Sequence, residues 1–143
     1  MSTREERVAA IVAEHAGREG PLLPILHDVQ AELGCVDAEA EAQIARELNL
    51  SRADVHGVAS FYHDFHARPD PRPVVQICRA EACKARGVEA LIPAAEQAAG
   101  DRVKLATVYC LGLCSAGPAA RIGDRLHARL DAQRLRQVIE NAR

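Results

Sequence analysis

The chain has 143 residues, room for one domain or two small ones, and its 48% hydrophobic and 27% charged residues make an ordinary soluble balance. With no tryptophan and aromatics at 3%, much of the core has to come from Leu, Val, Ile and Ala. The net charge of −2 hides an asymmetry: residues 1–71 carry 6 Lys/Arg against 13 Asp/Glu, and residues 72–143 carry 12 against 7. The basic half is not interleaved with aromatics, which argues against nucleic acid as a partner.

From the start, Met1-Ser-Thr-Arg-Glu-Glu6 has no apolar run behind a basic end, so no secretory signal is expected. No later stretch approaches membrane-spanning length, and membrane insertion is not expected. Five cysteines without a secretory signal point to a reducing compartment, the cytoplasm, where thiols serve metals rather than disulfides.

Up to residue 68 the chain reads as short helices. Glu5 to Ala16 is predicted as the first, stopped by Gly17 and Gly20. Leu22, Leu26, Val29 and Leu33 form one apolar stripe, and Gly34 suits the cap that ends it. Asp37 caps a third helix that buries Ile44 and Leu48, with Glu39 and Glu41 near its positive end. Ser51-Arg-Ala-Asp54 resembles a capping box opening a fourth. Phe61, Tyr62 and Phe65 follow. With so few aromatics they read first as core of the helical half, and second as an anchor for a partner. His56, His63 and His66 read as solvated or capping side chains. The expected division is a helical domain over 1–68, a proline-rich linker over 69–73 and a second domain over 74–143.

After the linker the period changes. Val74 to Cys78 is a short buried strand. Glu81 to Ala99 reads mostly as helix, with Gly87 and Pro93 warning of a break or a late start. Val103 to Tyr109 is a second strand. Ala119 to Ile122 and Leu126 to Leu130 make a hairpin around Gly123-Asp124. A two-residue loop would pair Ile122 with Arg125, whereas a three-residue loop pairs Ile122 with Leu126 and suits the hydrophobic face; the latter register is favoured. Leu135, Val138, Ile139 and Ala142 mark a final amphipathic helix after Asp131. The order β-α-β followed by β-β-α is a thioredoxin-like arrangement, so the fold class is α+β: a helical bundle followed by a thioredoxin-like α/β domain.

Four cysteines stand where these strands end. Cys78 and Cys83 form a C-x4-C hook, and Cys110 and Cys114 form a C-x3-C hook. Each hook delivers two sulfurs on one loop, so one loop-to-loop contact completes a four-thiolate shell. The uneven spacing fits a [2Fe–2S] cluster better than a single zinc ion, because two irons must be reached separately. The four sulfurs fill the shell without the histidines that a Rieske centre would require. Cys35, unpaired in the helical half, reads as a small buried hydrophobe. Arg79, Lys84 and Arg86 lie beside the first hook, either as surface cations or as charges that favour the reduced, more negative cluster. Gly112, Gly117 and Pro118 shape the backbone there, or free amides to hydrogen-bond sulfur.

Cys78-Arg-Ala-Glu-Ala-Cys83, Val108-Tyr-Cys-Leu-Gly-Leu-Cys114 and the run from Gly117 to Leu126 resemble the thioredoxin-like [2Fe–2S] ferredoxin family. That family includes the small iron–sulfur subunit of respiratory complex I and its counterparts in NAD-reducing hydrogenases and formate dehydrogenases. The helical half takes part through Pro21 to His27 and Gly57 to Phe65. Ser60 to Phe65 and Cys78 to Cys83 bring the likeness nearest to the gamma subunit of cytosolic, molybdenum-dependent, NAD-linked formate dehydrogenase. At Cys35 the chain departs from the family, which often has an aromatic after Leu-Gly. The resemblance implies Cys78, Cys83, Cys110 and Cys114 as ligands of one [2Fe–2S] cluster. It implies a neighbouring flavin- and NAD-binding subunit and, through it, a molybdenum-containing catalytic subunit. FMN, NAD and the molybdenum cofactor belong to those partners. The chain would be an oxidoreductase subunit that turns over no substrate alone, and it has no glycine-rich phosphate fingerprint of its own. Two other classes compete: a zinc-stabilised interaction module, and a thiol–disulfide oxidoreductase, which would need a C-x-x-C at the first helix that is missing here.

Overall fold

The computed structural model describes residues 3–143. It divides into two compact units, the first ending at Asp70 and the second beginning at Pro71.

The first unit is four helices, α1 (Arg4–Glu14), α2 (Leu22–Leu33), α3 (Ala38–Leu48) and α4 (Arg52–Phe61). Side-chain caps fix three of their starts. Thr3 and Glu6 form a reciprocal capping box on α1, Asp37 accepts from the Ala40 amide, and Ser51 and Asp54 close the box expected on α4. Gly34, at φ 80°, ends α2 in the left-handed conformation. α1 stops two residues short of the predicted Ala16, in a turn that runs through Gly17.

Val8, Ile11, Ile25, Leu26, Val29, Ile44 and Val55 build the core of this unit. Its three neighbouring aromatics separate. Phe65 turns inward against the His27 ring, with centroids 4.8 Å apart, while Tyr62 is exposed and Phe61 is 73% exposed at the end of α4. Only Phe65 is core, because the Tyr62 amide closes the last turn of α4 on Val58 and the chain then folds back.

The second unit holds β1 (Val74–Cys78), α5 (Glu81–Ala85), α6 (Val88–Ala99), β2 (Lys104–Val108), β3 (Ala120–Ile122), β4 (Arg125–His127) and α7 (Ala132–Glu140). The sheet order is β2-β1-β3-β4, parallel between β1 and β2 and antiparallel elsewhere, so the predicted β-α-β-β-β-α succession holds. The stretch from Glu81 to Ala99 is two helices. Gly87, at φ 93°, breaks it, and Pro93 is carried inside α6.

The hairpin register differs from the favoured one. Ile122 pairs with Arg125 and Ala120 with His127, around a two-residue Gly123-Asp124 loop. Pairing with β1, Val75 to Ile122 and Ile77 to Ala120, commits β3 to the buried face; β4, as the edge, has no matching apolar face to satisfy. Val75, Ile77, Val88, Leu135 and Ile139 form the core between the sheet and α6 and α7. Arg102 holds the end of α7 by donating to the carbonyls of Ile139, Glu140 and Ala142.

Candidate metal centre

Parallel pairing of β1 with β2 brings Cys78 opposite Val108, so both strands end at the same edge of the sheet. The Arg79 amide donates to the Val108 carbonyl at 2.9 Å and the Cys78 amide to the Ala119 carbonyl at 3.0 Å. Three segments are thereby tied together at one place: the loop into α5, the loop after β2, and the chain entering β3.

The first hook is short because α5 is short. Cys78 is the last residue of β1, and one helical turn carries Cys83 back onto the same core. Both are buried, at 3% and 2% exposure, and they belong to the hydrophobic core of this unit. The second hook is made by backbone conformation. Cys110 has φ 101°, a region that costs a non-glycine residue about 1–3 kcal/mol, and Gly112 follows at φ 78°. The chain then enters a 3-10 turn over Cys114–Ala116. The Sγ atoms of Cys110 and Cys114 come to 3.5 Å, and the Gly112 amide donates to Cys110 Sγ at 3.3 Å. Cys110 and Cys114 are exposed and all five cysteines are free thiols.

The electrostatics of the site favour negative sulfur at Cys78 and oppose it at Cys83 and Cys114. Burial opposes ionisation of Cys78, yet the Ala80 amide, the Cys83 thiol and the amides of Cys110 and Leu111 bring its pKa below the ordinary thiol value. Burial pushes the Cys83 thiol up, opposed by the Ala119 amide, and the neighbouring Cys110 thiol pushes Cys114 up. Charges on Cys78 and Cys114 also raise Cys83, so the two hooks feel one another. Sulfurs that resist a second negative charge beside the first are suited to sharing cations, and an amide such as that of Gly112 is a usual partner of a ligating thiolate. Among the described residues no three His, Cys, Asp or Glu side chains are grouped closely enough to hold a single metal ion. The thiols stand as two pairs.

The structure separates the two roles offered for the glycines. Gly112 supplies both a left-handed turn and an amide to sulfur. Gly117 supplies space: a Cβ there would meet Cys83 Sγ at 2.9 Å and Arg86 Cδ at 3.3 Å. Its packing against Cys83 has no signature beyond a Gly-Pro pair, and so the sequence conceals it. Of the three neighbouring cations, Arg79 makes a two-pronged contact with Glu89, at 2.9 and 2.5 Å, whereas Arg86 lies along Cys83 and Gly117. Cys35 is buried in the helical unit, with the Arg4 guanidinium donating to its sulfur at 3.8 Å.

A family model described as thioredoxin-like [2Fe-2S] ferredoxin matches residues 8–143. The chain is 34% identical to one of the NADH-quinone oxidoreductase subunits of Rhizobium meliloti (strain 1021), across 100% of this chain and 90% of that protein. It is 24% identical to HndA, a subunit of the NADP-reducing hydrogenase of Solidesulfovibrio fructosivorans, across 85% of this chain and 77% of the relative. Among solved structures, a NAD+-reducing [NiFe]-hydrogenase in the air-oxidized state matches with a TM-score of 0.69 and 29% identity. That match covers 84% of this chain and only 22% of the hydrogenase chain.

Proposed function

Because the chain belongs to the thioredoxin-like [2Fe–2S] ferredoxin family, we propose that it is a one-electron carrier in a NAD-linked oxidoreductase complex, with Cys78, Cys83, Cys110 and Cys114 as the cluster ligands. The observation that carries this reading is the placing of two cysteine hooks at neighbouring strand ends, with the Gly112 amide donating to Cys110 Sγ. When bound, the cluster supplies reversible uptake of one electron. The protein's part is to hold the thiolates, to donate amide hydrogens to them, and to set exposure: the first pair lies in the core and the second at the surface.

The partner proposed for the exposed side is the flavin- and NAD-binding subunit, with the complex in the cytoplasm. No helix among the described residues is long and apolar enough to cross a membrane. The isolated chain is proposed to catalyse nothing. For the parent complex, Ser60 to Phe65 and Cys78 to Cys83 support a formate dehydrogenase, in which a molybdenum subunit supplies the electrons. The named relatives favour a second reading, the equivalent subunit of a NADH-quinone oxidoreductase or of a hydrogenase.

Anaerobic reconstitution tests the centre. Two irons and two sulfides per chain, with a paramagnetic signal on one-electron reduction, are expected; zinc alone in natively purified protein, with no iron taken up on reconstitution, would reject it. Affinity purification from native cells decides the parent. A molybdenum-containing partner identifies formate dehydrogenase, a nickel–iron partner a hydrogenase, and a membrane quinone-reducing assembly the respiratory complex.

A further inference from the structure

Away from the thiols, the edge strand β4 and helix α7 enclose a groove of about 690 Å3. Arg125 and His127 line it from the strand, Arg134 from the first turn of α7 and Arg143 from beyond its end, with Ile122, Leu130 and Val138 among its apolar residues. No carboxylate side chain lines it among the described residues; the Arg134 guanidinium donates to the Arg129 carbonyl at 3.5 Å, and its backbone amide to the capping Asp131 carboxylate at 2.8 Å. β4 is the last strand of the sheet, so its outer side has no strand partner, and Leu126 on it is 51% exposed.

Register fixes what such an edge can accept. Residues directly opposed in an antiparallel pair point to one face, so Arg125 shares the face of Ile122, toward the core and α7, while Leu126 shares the face of Arg121. A strand laid beside β4 would therefore meet cations at alternate positions and a leucine between them. A second copy of this chain would bring Arg125 and His127 against the same charges, which disfavours edge-to-edge self-pairing. A nucleic acid would meet the cations but has no use for a free strand edge or an apolar floor.

We propose that this groove docks an extended acidic segment of another polypeptide, added as a strand to β4, with carboxylates facing Arg125, His127 and Arg134 and apolar residues covering Leu126. The proposal goes beyond the electron-carrier reading and does not depend on it, since no thiol takes part.

The test uses the full chain carrying its cluster and three fluorescent probes: an eight-residue peptide of alternating Glu and Val, its Lys-Val counterpart, and an oligothymidine of equal negative charge. Anisotropy at low salt should give saturable binding of the Glu-Val peptide alone, with amide shifts confined to residues 124–143. Arg134→Glu, on the exposed face of α7, should weaken it at least tenfold, and Arg125→Glu with Arg134→Glu should abolish it. Unchanged iron content and circular dichroism show that both variants fold. Absence of saturable Glu-Val binding would overturn the proposal, as would indifference to charge reversal. Oligothymidine binding as tightly would overturn it too, by making the groove a general anion surface.

Discussion

The two cysteine hooks bring thiols to neighbouring strand ends by opposite means. Cys78 and Cys83 sit at the end of a strand and on a helical turn, inside the hydrophobic core. Cys110 and Cys114 are exposed on a loop shaped by positive φ values at Cys110 and Gly112. The first hook is therefore part of what makes the unit fold, and the second is free to serve the site alone. Substitution should cost the first hook twice, in packing and in ligation, and the second only once.

Glycine substitutions should break this contrast most sharply. Gly117→Val drives its Cβ into Cys83 Sγ, where backbone and core leave little room to yield. Overpacking of this kind costs about 1–3 kcal/mol, and cluster assembly should be lost with it. Gly112→Ala meets nothing within 4 Å and bears only the strain of its left-handed backbone, roughly 1–2 kcal/mol. It should still take up iron, because its amide remains. Thermal melts of the metal-free proteins and iron counts after reconstitution check both; full iron uptake by Gly117→Val, equal to that of Gly112→Ala, would contradict the crowding argument.

The cysteines themselves come next. Cys83→Ser and Cys114→Ser should each prevent a full four-thiolate cluster, but their metal-free forms should differ. A serine hydroxyl at position 83 is buried without a thiol's tolerance for an apolar site, at a cost of about 1–3 kcal/mol. At the exposed position 114 the change should stay within about 0.5 kcal/mol. Cys35→Ser is the control. It should lower the stability of the helical unit and keep the whole cluster, so denaturation and visible absorption should move independently. Cluster loss in Cys35→Ser equal to that in Cys83→Ser would overturn the ligand set.

What is legible in the sequence follows the same division. Strand ends, thiol spacing and the β-α-β order are written in residue type and period, and each hook can be placed from them. Conformation is hidden: nothing in the letter Cys announces φ 101° at position 110, and nothing in Gly117 announces a sulfur at its back. The hydrophobic-face rule misplaces the hairpin register because it presumes that both strands are covered. β4 is an edge, and its Leu126 faces outward at no penalty large enough to shift the pairing. Phe61, Tyr62 and Phe65 look like one group in sequence because adjacency ignores the end of α4 between them.

The smallest expected effect concerns charge beside the first hook. A cation near the cluster stabilises its reduced form, so removing one moves the reduction potential to a more negative value. Arg79→Gln does so, but Glu89 stands at hydrogen-bond distance from the same guanidinium and contributes a field of opposite sign. Arg79→Gln together with Glu89→Gln should therefore leave the potential nearly unchanged. Arg86 runs along Cys83 and Gly117, and no carboxylate pairs with it among the described residues. Arg86→Gln should lower the potential by a shift that survives in isolation and shrinks as salt rises. Its size should stay below about 60 mV, a tenfold change in a one-electron equilibrium. Titration of the reconstituted protein by spectroelectrochemistry at two ionic strengths separates the cases. An Arg86→Gln shift no larger than that of the double variant would mean that distance to the irons, and not the missing carboxylate, decides which arginine counts.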